Sequence, residues 1–257
     1  MTDTPRTILI TGAGSGLGRG LSLQLAAQGH VVIATDLQLK AAEETAQMIH
    51  SAGGQCLAHP LDVTSEQSLQ AFFTQLNGQP VDVLVNNAGL QHVAKLEDFA
   101  VEKWDHLMDV MLKGAFLMSQ AVLPGMRTQG YGRFIHIGSI HSLIASPYKS
   151  AYTAAKHALT GFSKVLALET AMSDITSNVI CPAYLRTPLV DAHIQDQART
   201  RNLSEADVIE KVMLAPMPKK VFITVEEVAG AIAYLISPVA RNITGQTLTI
   251  DGGWTAQ

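Results

Sequence analysis

Thr7-Ile8-Leu9-Ile10-Thr11-Gly12-Ala13-Gly14-Ser15-Gly16-Leu17-Gly18 opens a unit that closes at Val31-Val32-Ile33-Ala34-Thr35-Asp36. A short β-branched, apolar run leads into a glycine-rich tract. Apolar residues at helical spacing follow over 21–27, and then a second apolar run ends on an acid. Glycine lets the backbone turn sharply and approach a ligand closely, and the helix behind it turns its first N–H groups toward a diphosphate. Gly12, Ser15, Gly16, Leu17 and Gly18 are therefore assigned to a dinucleotide cofactor. Asp36 lies about 20 residues beyond the glycines, where an acid accepts hydrogen bonds from both adenosine ribose hydroxyls. It would repel a 2′-phosphate, and neither Ser15 nor Leu37 supplies a cation to offset it. NAD is favoured over NADP.

Outward from this unit the same alternation repeats. Residues 38–51 and 65–76 read as helices, and 55–61 and 81–85 as strands. Residues 102–127 read as one long helix, 133–138 as a strand, 149–171 as a long helix and 175–181 as a strand. A helix over 226–237 and a strand over 247–250 complete the chain. This is the pattern of an α/β fold: one doubly wound parallel sheet of about seven strands, with helices on both faces, in a single domain over 1–257. Residues 189–222 are more polar, hold Pro216 and Pro218, and read as a helical insertion and candidate substrate lid. Ligands in such sheets bind at the carboxyl ends of the strands. Gly12, Asp36, Asp62 with Val63, Asn86 with Ala88, Ser139 and Pro182 all fall at such ends.

The chemistry concentrates between Ser139 and Lys156. Tyr152 and Lys156 are four apart on one helix and share a face, and Lys149 joins it one turn earlier. Ser139 and His141 are two apart where a strand ends and point to one side if the backbone stays extended. A lysine ammonium about 4 Å from a phenolate contributes about 4 kcal/mol at an effective dielectric near 20. At about 1.4 kcal/mol per pKa unit, that brings a phenol from about 10 toward 7. Such a phenol takes the proton of an alcohol, and a serine beside it holds the substrate oxygen.

Composition narrows the classes. The chain has 257 residues, 47% of them apolar, which supplies a sizeable core. No run of 18 uncharged apolar residues occurs, and the first six residues lack the pattern of a signal peptide, so no membrane association is expected. A net charge of −4 without a basic cluster argues against nucleic acid. Cys56 and Cys181 are far apart and fit a reducing, cytoplasmic setting. The nine histidines show no metal-binding spacing, and no metal is expected.

Taken in order, Thr11-Gly-x-x-x-Gly16-x-Gly18, Asp62, Asn86-Asn-Ala-Gly89, Ser139 and Tyr152-x-x-x-Lys156 resemble the short-chain dehydrogenase/reductase family over essentially the whole chain. That resemblance implies a Rossmann-type sheet. It implies Tyr152 as general acid/base, Ser139 orienting the substrate oxygen, and Lys156 lowering the tyrosine pKa and binding the nicotinamide ribose. It also implies that Asn86 helps place the cofactor, that Thr187 meets the nicotinamide amide, and that the assembly is a homotetramer built on the two long helices. Gly89-Leu-Gln-His92, Lys149-Ser-Ala-Tyr152, Arg186-Thr-Pro-Leu-Val190 and Asp251-Gly-Gly-Trp-Thr-Ala256 further resemble the branch of the family that oxidises (R)-3-hydroxybutyrate. In that branch Gln91, His141 and Lys149 would grip the carboxylate of a small anionic hydroxy acid, joined by His193, and Trp254 would help close the pocket. The chain departs from the pattern at Met111, where the family carries an asparagine, and at Ala183 after Pro182, where it carries glycine. It departs from the branch at Tyr184, in place of tryptophan, and at His193, in place of glutamine.

Overall fold

A computed structural model describes residues 4–186, 190–191, 194–195, 198–199 and 202–256. Seven parallel strands form one sheet: β1 (Thr7–Thr11), β2 (Val31–Asp36), β3 (Gln55–Pro60), β4 (Val83–Asn86), β5 (Tyr131–Ile137), β6 (Asp174–Pro182) and β7 (Thr247–Ile250), in the order β3-β2-β1-β4-β5-β6-β7. The order reverses between β1 and β4, which opens a crevice at the carboxyl ends of those two strands.

Side chains alternate across the sheet as strand geometry requires. Ile8, Ile10, Val32, Ala34, Val85 and Ile135 face one core, against α1 (Gly16–Ala27). Leu9, Ile33, Leu84 and Phe134 face the other, against α3 (Glu66–Leu76) and the long helix that ends at Gln129. Both sides are covered, so the strands read as nearly continuous apolar runs. Each fully buried Leu, Ile or Phe contributes about 1.5–3 kcal/mol. α2 (Leu39–Ser51) connects β2 to β3. Sequence-encoded stops set the helix ends. Ser65 Oγ accepts from Ser68 N at the start of α3, and Asn77 adopts a left-handed conformation (φ 48°) at its end, ahead of Gly78.

The long helix expected over 102–127 is interrupted. α4 (Val101–Met108) passes through a π-helical segment, Asp109–Lys113, into α5 (Gly114–Gln129). The extra residue shifts the apolar face by one position, which a broad apolar stripe absorbs, so the pattern alone does not disclose it. At the junction a Cβ on Gly114 would lie 2.8 Å from the Val63 side chain, so the helix reaches β3's end only through a glycine. By length and composition the joined helix, Val101–Gln129, is long and apolar enough to cross a membrane. Its apolar side chains Met111, Leu117, Met118, Val122 and Met126 are instead packed in the core.

α6 (Ser150–Glu169) follows β5. Beyond β6, the described residues between 190 and 213 are largely helical and include α7 (Glu205–Val208), which runs on through a π-helical turn, Ile209–Met213. Ile194, Val208 and Met213 form a separate small core there that reaches Tyr184 and Phe222. Its base is stitched by a bridge between Leu185 and Ile223 and by Ile223 N donating to Tyr184 O (2.9 Å). α8 (Val225–Ile236), capped by Thr224 and Glu227, packs on α1, where Gly20 leaves room for Val225.

Between β4, β5 and β6 runs a buried polar ladder. Asn86 Nδ2 donates to His136 Nδ1 (3.1 Å) and to Ser119 Oγ (3.3 Å). His136 Nε2 reaches Ser177 Oγ (3.2 Å), which bonds Ser163 Oγ (2.8 Å). Burial holds His136 neutral, its pKa pushed down to about 3, with the charge of Lys156 adding to the effect.

Candidate active site

Thr11 ends β1 and anchors the crevice. Its Oγ1 accepts from Asn87 N (3.1 Å) and Ala88 N (3.0 Å), while Asn87 Nδ2 donates to the carbonyls of Thr11 (2.8 Å) and Gly12 (3.1 Å). The glycine loop is built against this amide. A Cβ on Gly18 would sit 2.1 Å from Gly12 O and 2.5 Å from Asn87 Nδ2. Gly12 (φ +64°) and Gly16 (φ +52°) are left-handed, as only glycine readily allows. A Cβ on Gly16 would meet nothing within 4 Å, so that side of the loop is open. Ser15, the N-cap of α1, makes no side-chain cap, and Leu17 packs against the core. Asp36 closes the edge: Oδ2 accepts from Gly14 N (3.0 Å) and Oδ1 from Gln38 N (3.0 Å). An open glycine turn at a helix N-terminus, with a carboxylate beside it, fits the diphosphate and ribose of a dinucleotide.

Asp62 and Val63 stand at β3's end, with Asp62 Oδ1 accepting from Thr64 N (2.9 Å) and Thr64 Oγ1 (2.7 Å). Pro182 is the buried last residue of β6. The Asn86 side chain turns into the sheet, toward His136 and Ser119, so what it gives the crevice is the position of its strand. Its neighbour Asn87, which the sequence reading left without a role, is the amide that shapes the glycine loop. Thr187 and His193 lie outside the described residues.

Ser139, Tyr152 and Lys156 come together as expected, though not by extended backbone. Ser139 N-caps a single 3-10 turn, Ile140–Ser142, with reciprocal bonds between Ser139 and Ser142. That turn, not strand alternation, brings Ser139 Oγ within 3.3 Å of His141 Nδ1. The Ser139 hydroxyl also bonds the Tyr152 phenol. Lys156 Nζ donates to Ile137 O (2.6 Å) and lies 5.7 Å from the centre of the Tyr152 ring.

The charge balance corrects the expectation of a phenol tuned toward neutrality by its lysine. Burial raises the Tyr152 pKa, and the Ser139 hydrogen bond opposes this only in part. Burial also lowers Lys156, to about 8. The ammonium is held by the Ile137 carbonyl, and Lys156 is not among the groups that shift the phenol. Cys181 is a neighbour that spacing could not reveal. It is fully buried at the end of β6, and a Cβ on Gly138 would lie 2.7 Å from its Sγ.

On the substrate side, the His141 ring packs edge-on against Tyr152, with centroids 5.9 Å apart. Burial, with the charges of Lys149 and His157, lowers its pKa to about 4. Lys149 Nζ stands 5.8 Å from the centre of Tyr184, whose ring lies 5.7 Å from that of Trp254. Lys149 is partly buried, which lowers its pKa, and it forms no ion pair among the described residues. Gln91 is exposed on a loop that approaches through Ala94 N donating to Tyr148 O (3.0 Å). Tyr148 is left-handed (φ 69°), a strained state for a bulky residue, immediately before Lys149. Lys149, His141 and Trp254 thus stand around Tyr152 and Tyr184, whereas the Gln91 side chain is exposed.

Met111 is buried in the π-helical segment and lines a small cavity with Val110, Ala115, Leu159 and Lys156. The helix keeps its irregular turn with a thioether at this position.

A family model described as enoyl-(acyl carrier protein) reductase matches residues 12–255. The chain is 44% identical to a D-beta-hydroxybutyrate dehydrogenase of Rhizobium meliloti (strain 1021), over 98% of this chain and 99% of that protein. It is 37% identical to a D-beta-hydroxybutyrate dehydrogenase of Cupriavidus necator, over 98% of each. Among solved structures it is similar to a provisionally named 2-deoxy-D-gluconate 3-dehydrogenase of Agrobacterium tumefaciens with bound NADP. That likeness has a TM-score of 0.86 and 32% identity, and it covers 100% of this chain and 99% of that one.

Proposed function

Because the chain belongs to the short-chain dehydrogenase/reductase family and is an oxidoreductase, we propose that it interconverts (R)-3-hydroxybutyrate and acetoacetate with NAD. The observation that carries the substrate is Lys149, a partly buried ammonium without an acidic partner among the described residues, standing beside His141 and Tyr184. A buried cation left unpaired is costly, and a substrate carboxylate removes that cost. Charge-assisted hydrogen bonds of this kind contribute about 1.5–3 kcal/mol each, a large share for so small a ligand. Gln91 and His193 belong to the same grip in this reading, and Trp254 with residues 189–222 closes over it.

Asp36 supports NAD, because a carboxylate at the ribose edge repels a 2′-phosphate. Asp62 with Val63, Asn86 with Ala88, Pro182 and Thr187 complete the cofactor's walls. Held by these residues, the nicotinamide would supply the hydride acceptor. Tyr152 takes the hydroxyl proton in oxidation and returns it in reduction, and Ser139 holds the reacting oxygen. Burial keeps the phenol protonated at neutral pH. Oxidation should therefore quicken as pH rises above neutrality, and reduction should be favoured below it. Exposed apolar side chains on α5 and α6 (Phe116, Val165, Leu168) support a homotetramer built on these helices.

The deciding experiment follows absorbance at 340 nm with 3-hydroxybutyrate and with its methyl ester, each with NAD and with NADP. Strong activity on the acid with NAD and weak activity on the ester is the expected result. Equal rates on acid and ester would reject the carboxylate grip. Preference for a sugar acid over 3-hydroxybutyrate would favour a second reading, supported by the likeness to the Agrobacterium protein.

A further inference from the structure

We propose that Tyr148 is a positioning residue for substrate specificity: its left-handed backbone locks the turn Ser146–Lys149 and so holds Lys149 in register with His141 and the Gln91 loop. This rests on the reading of Lys149 as the group that meets the substrate, and adds what keeps it in place. Four non-glycine residues among the described ones have a left-handed backbone: Asn77, Tyr148, Asn202 and Lys220. Asparagine tolerates that state. Lys220 spends its ammonium on the carbonyls of Leu214 and Ala215. Tyr148 has φ +69° and is 55% exposed, so packing of its ring offsets little of the cost. Strain kept without a packing return points to a local task.

The turn is encoded in part. Pro147 followed by a residue at positive φ is the pattern of a type II turn, which brings the Cα atoms of its first and fourth residues within about 7 Å. Its third position favours glycine or asparagine, and this chain places tyrosine there.

Three bonds hold the turn, each to a different part of the substrate end. Ser146 Oγ lies 2.9 Å from His141 Nε2. Tyr148 O accepts from Ala94 N (3.0 Å), on the loop that carries Gln91. Lys149 O accepts from Thr153 N (2.9 Å), where α6 begins. Relaxing residue 148 into the right-handed region would swing φ from +69° to about −63°. The Ala94 bond and the entry into α6 could not both survive that rotation, and Lys149 Nζ would leave its place 5.8 Å from the centre of Tyr184. None of the residues assigned to the cofactor lies in the turn, so its loss should be felt by the substrate alone.

The test compares Tyr148→Asn, Tyr148→Ile and Ala94→Pro in the full-length protein, each alone and beside Lys149→Ala. It uses NAD and the substrate that the unaltered protein oxidises best. Asparagine accepts the left-handed state and lacks the phenol, so Tyr148→Asn should keep kcat and both KM values within about twofold and melt no lower. Isoleucine is hostile to that state, so Tyr148→Ile should raise the substrate KM about tenfold, with KM for NAD and NADH binding by fluorescence little changed. Ala94→Pro removes the amide that holds Tyr148 O, leaves residue 148 untouched, and should raise the same KM. It carries the prediction where Tyr148→Ile does not fold. Beside Lys149→Ala, both substitutions should add about twofold or less, because the side chain they place is gone. A merely structural loss would not vanish in that background. An unchanged substrate KM in Tyr148→Ile would overturn the role of Tyr148. So would a Tyr148→Asn protein as impaired as Tyr148→Ile, or losses that persist in full beside Lys149→Ala. A silent Tyr148→Ile beside a damaging Lys149→Ala removes Tyr148 alone, whereas a silent Lys149→Ala removes the reading of Lys149 and the role of Tyr148 with it.

Discussion

The two ends of the crevice are built differently. At the cofactor end, the backbone is locked to itself. Asn87, Thr11, Asp36 and Gly18 hold the glycine loop through contacts that tolerate no added atom. At the substrate end, polar groups are left with capacity to spare. Lys149 has no ion-pair partner among the described residues, Gln91 is exposed, and Tyr148 holds a strained backbone between them. Under the proposed function the difference teaches that the rigid half serves a constant ligand. The half with unmet bonding capacity is where specificity is written, because each unsatisfied group rejects ligands that cannot answer it.

Replacing Tyr152 with Phe sharpens the contrast most. Turnover should fall about a thousandfold, within the range for lost acid–base catalysis, while NADH binding measured by fluorescence stays close to normal. Loss of binding and turnover together would place Tyr152 in the rigid half. Lys149→Ala should cost about 10–150-fold in kcat/KM for the acid, the equivalent of 1.5–3 kcal/mol, and leave the methyl ester nearly unaffected. An equal loss on both would break the comparison at its substrate end. Gly18→Ala should destabilise the fold by about 1–3 kcal/mol and weaken the cofactor more than the substrate, read by melting with and without NADH. A variant that melts and binds normally would show that the loop yields.

The last prediction tests burial itself. His136 and His141 have folded pKa values pushed down to about 3 and about 4. Below about 6.5 the unfolded chain takes up protons that the folded chain refuses, so stability falls as pH drops from there toward about 4. Between pH 7 and 5.5 the two histidines should together cost about 2 kcal/mol, at about 1.4 kcal/mol per unit each, measured by urea unfolding. No change over that interval would mean that neither ring is held neutral.

Much of this was legible in the sequence. Short apolar, β-branched runs and glycine punctuation disclose all seven strands, because both faces of the sheet are covered and demand apolar residues. Strand ends then locate Gly12, Asp36, Asn86 and Ser139 along one edge of the sheet, and the helix after β5 carries Tyr152. The π-helical segment stayed hidden because one extra residue leaves an apolar stripe apolar. The division of labour between Asn86 and Asn87 stayed hidden because adjacent identical residues point to opposite sides, and only the fold says which side holds the glycine loop. The Tyr152 charge balance was misjudged because spacing along a helix gives proximity. It does not disclose that a carbonyl on another element, Ile137, holds the ammonium.

The rung of Asn86, His136 and Ser177 has a further consequence. Sliding β5 by one residue against either neighbour would strand amide, imidazole and hydroxyl in hydrocarbon, at about 1–3 kcal/mol for each orphaned group. Apolar strands alone slip cheaply, since one Val or Ile substitutes for the next. Three polar side chains thus act as an alignment pin. They keep the tips of β4, β5 and β6 level at the edge from which Ala88, Ser139 and Pro182 border the crevice.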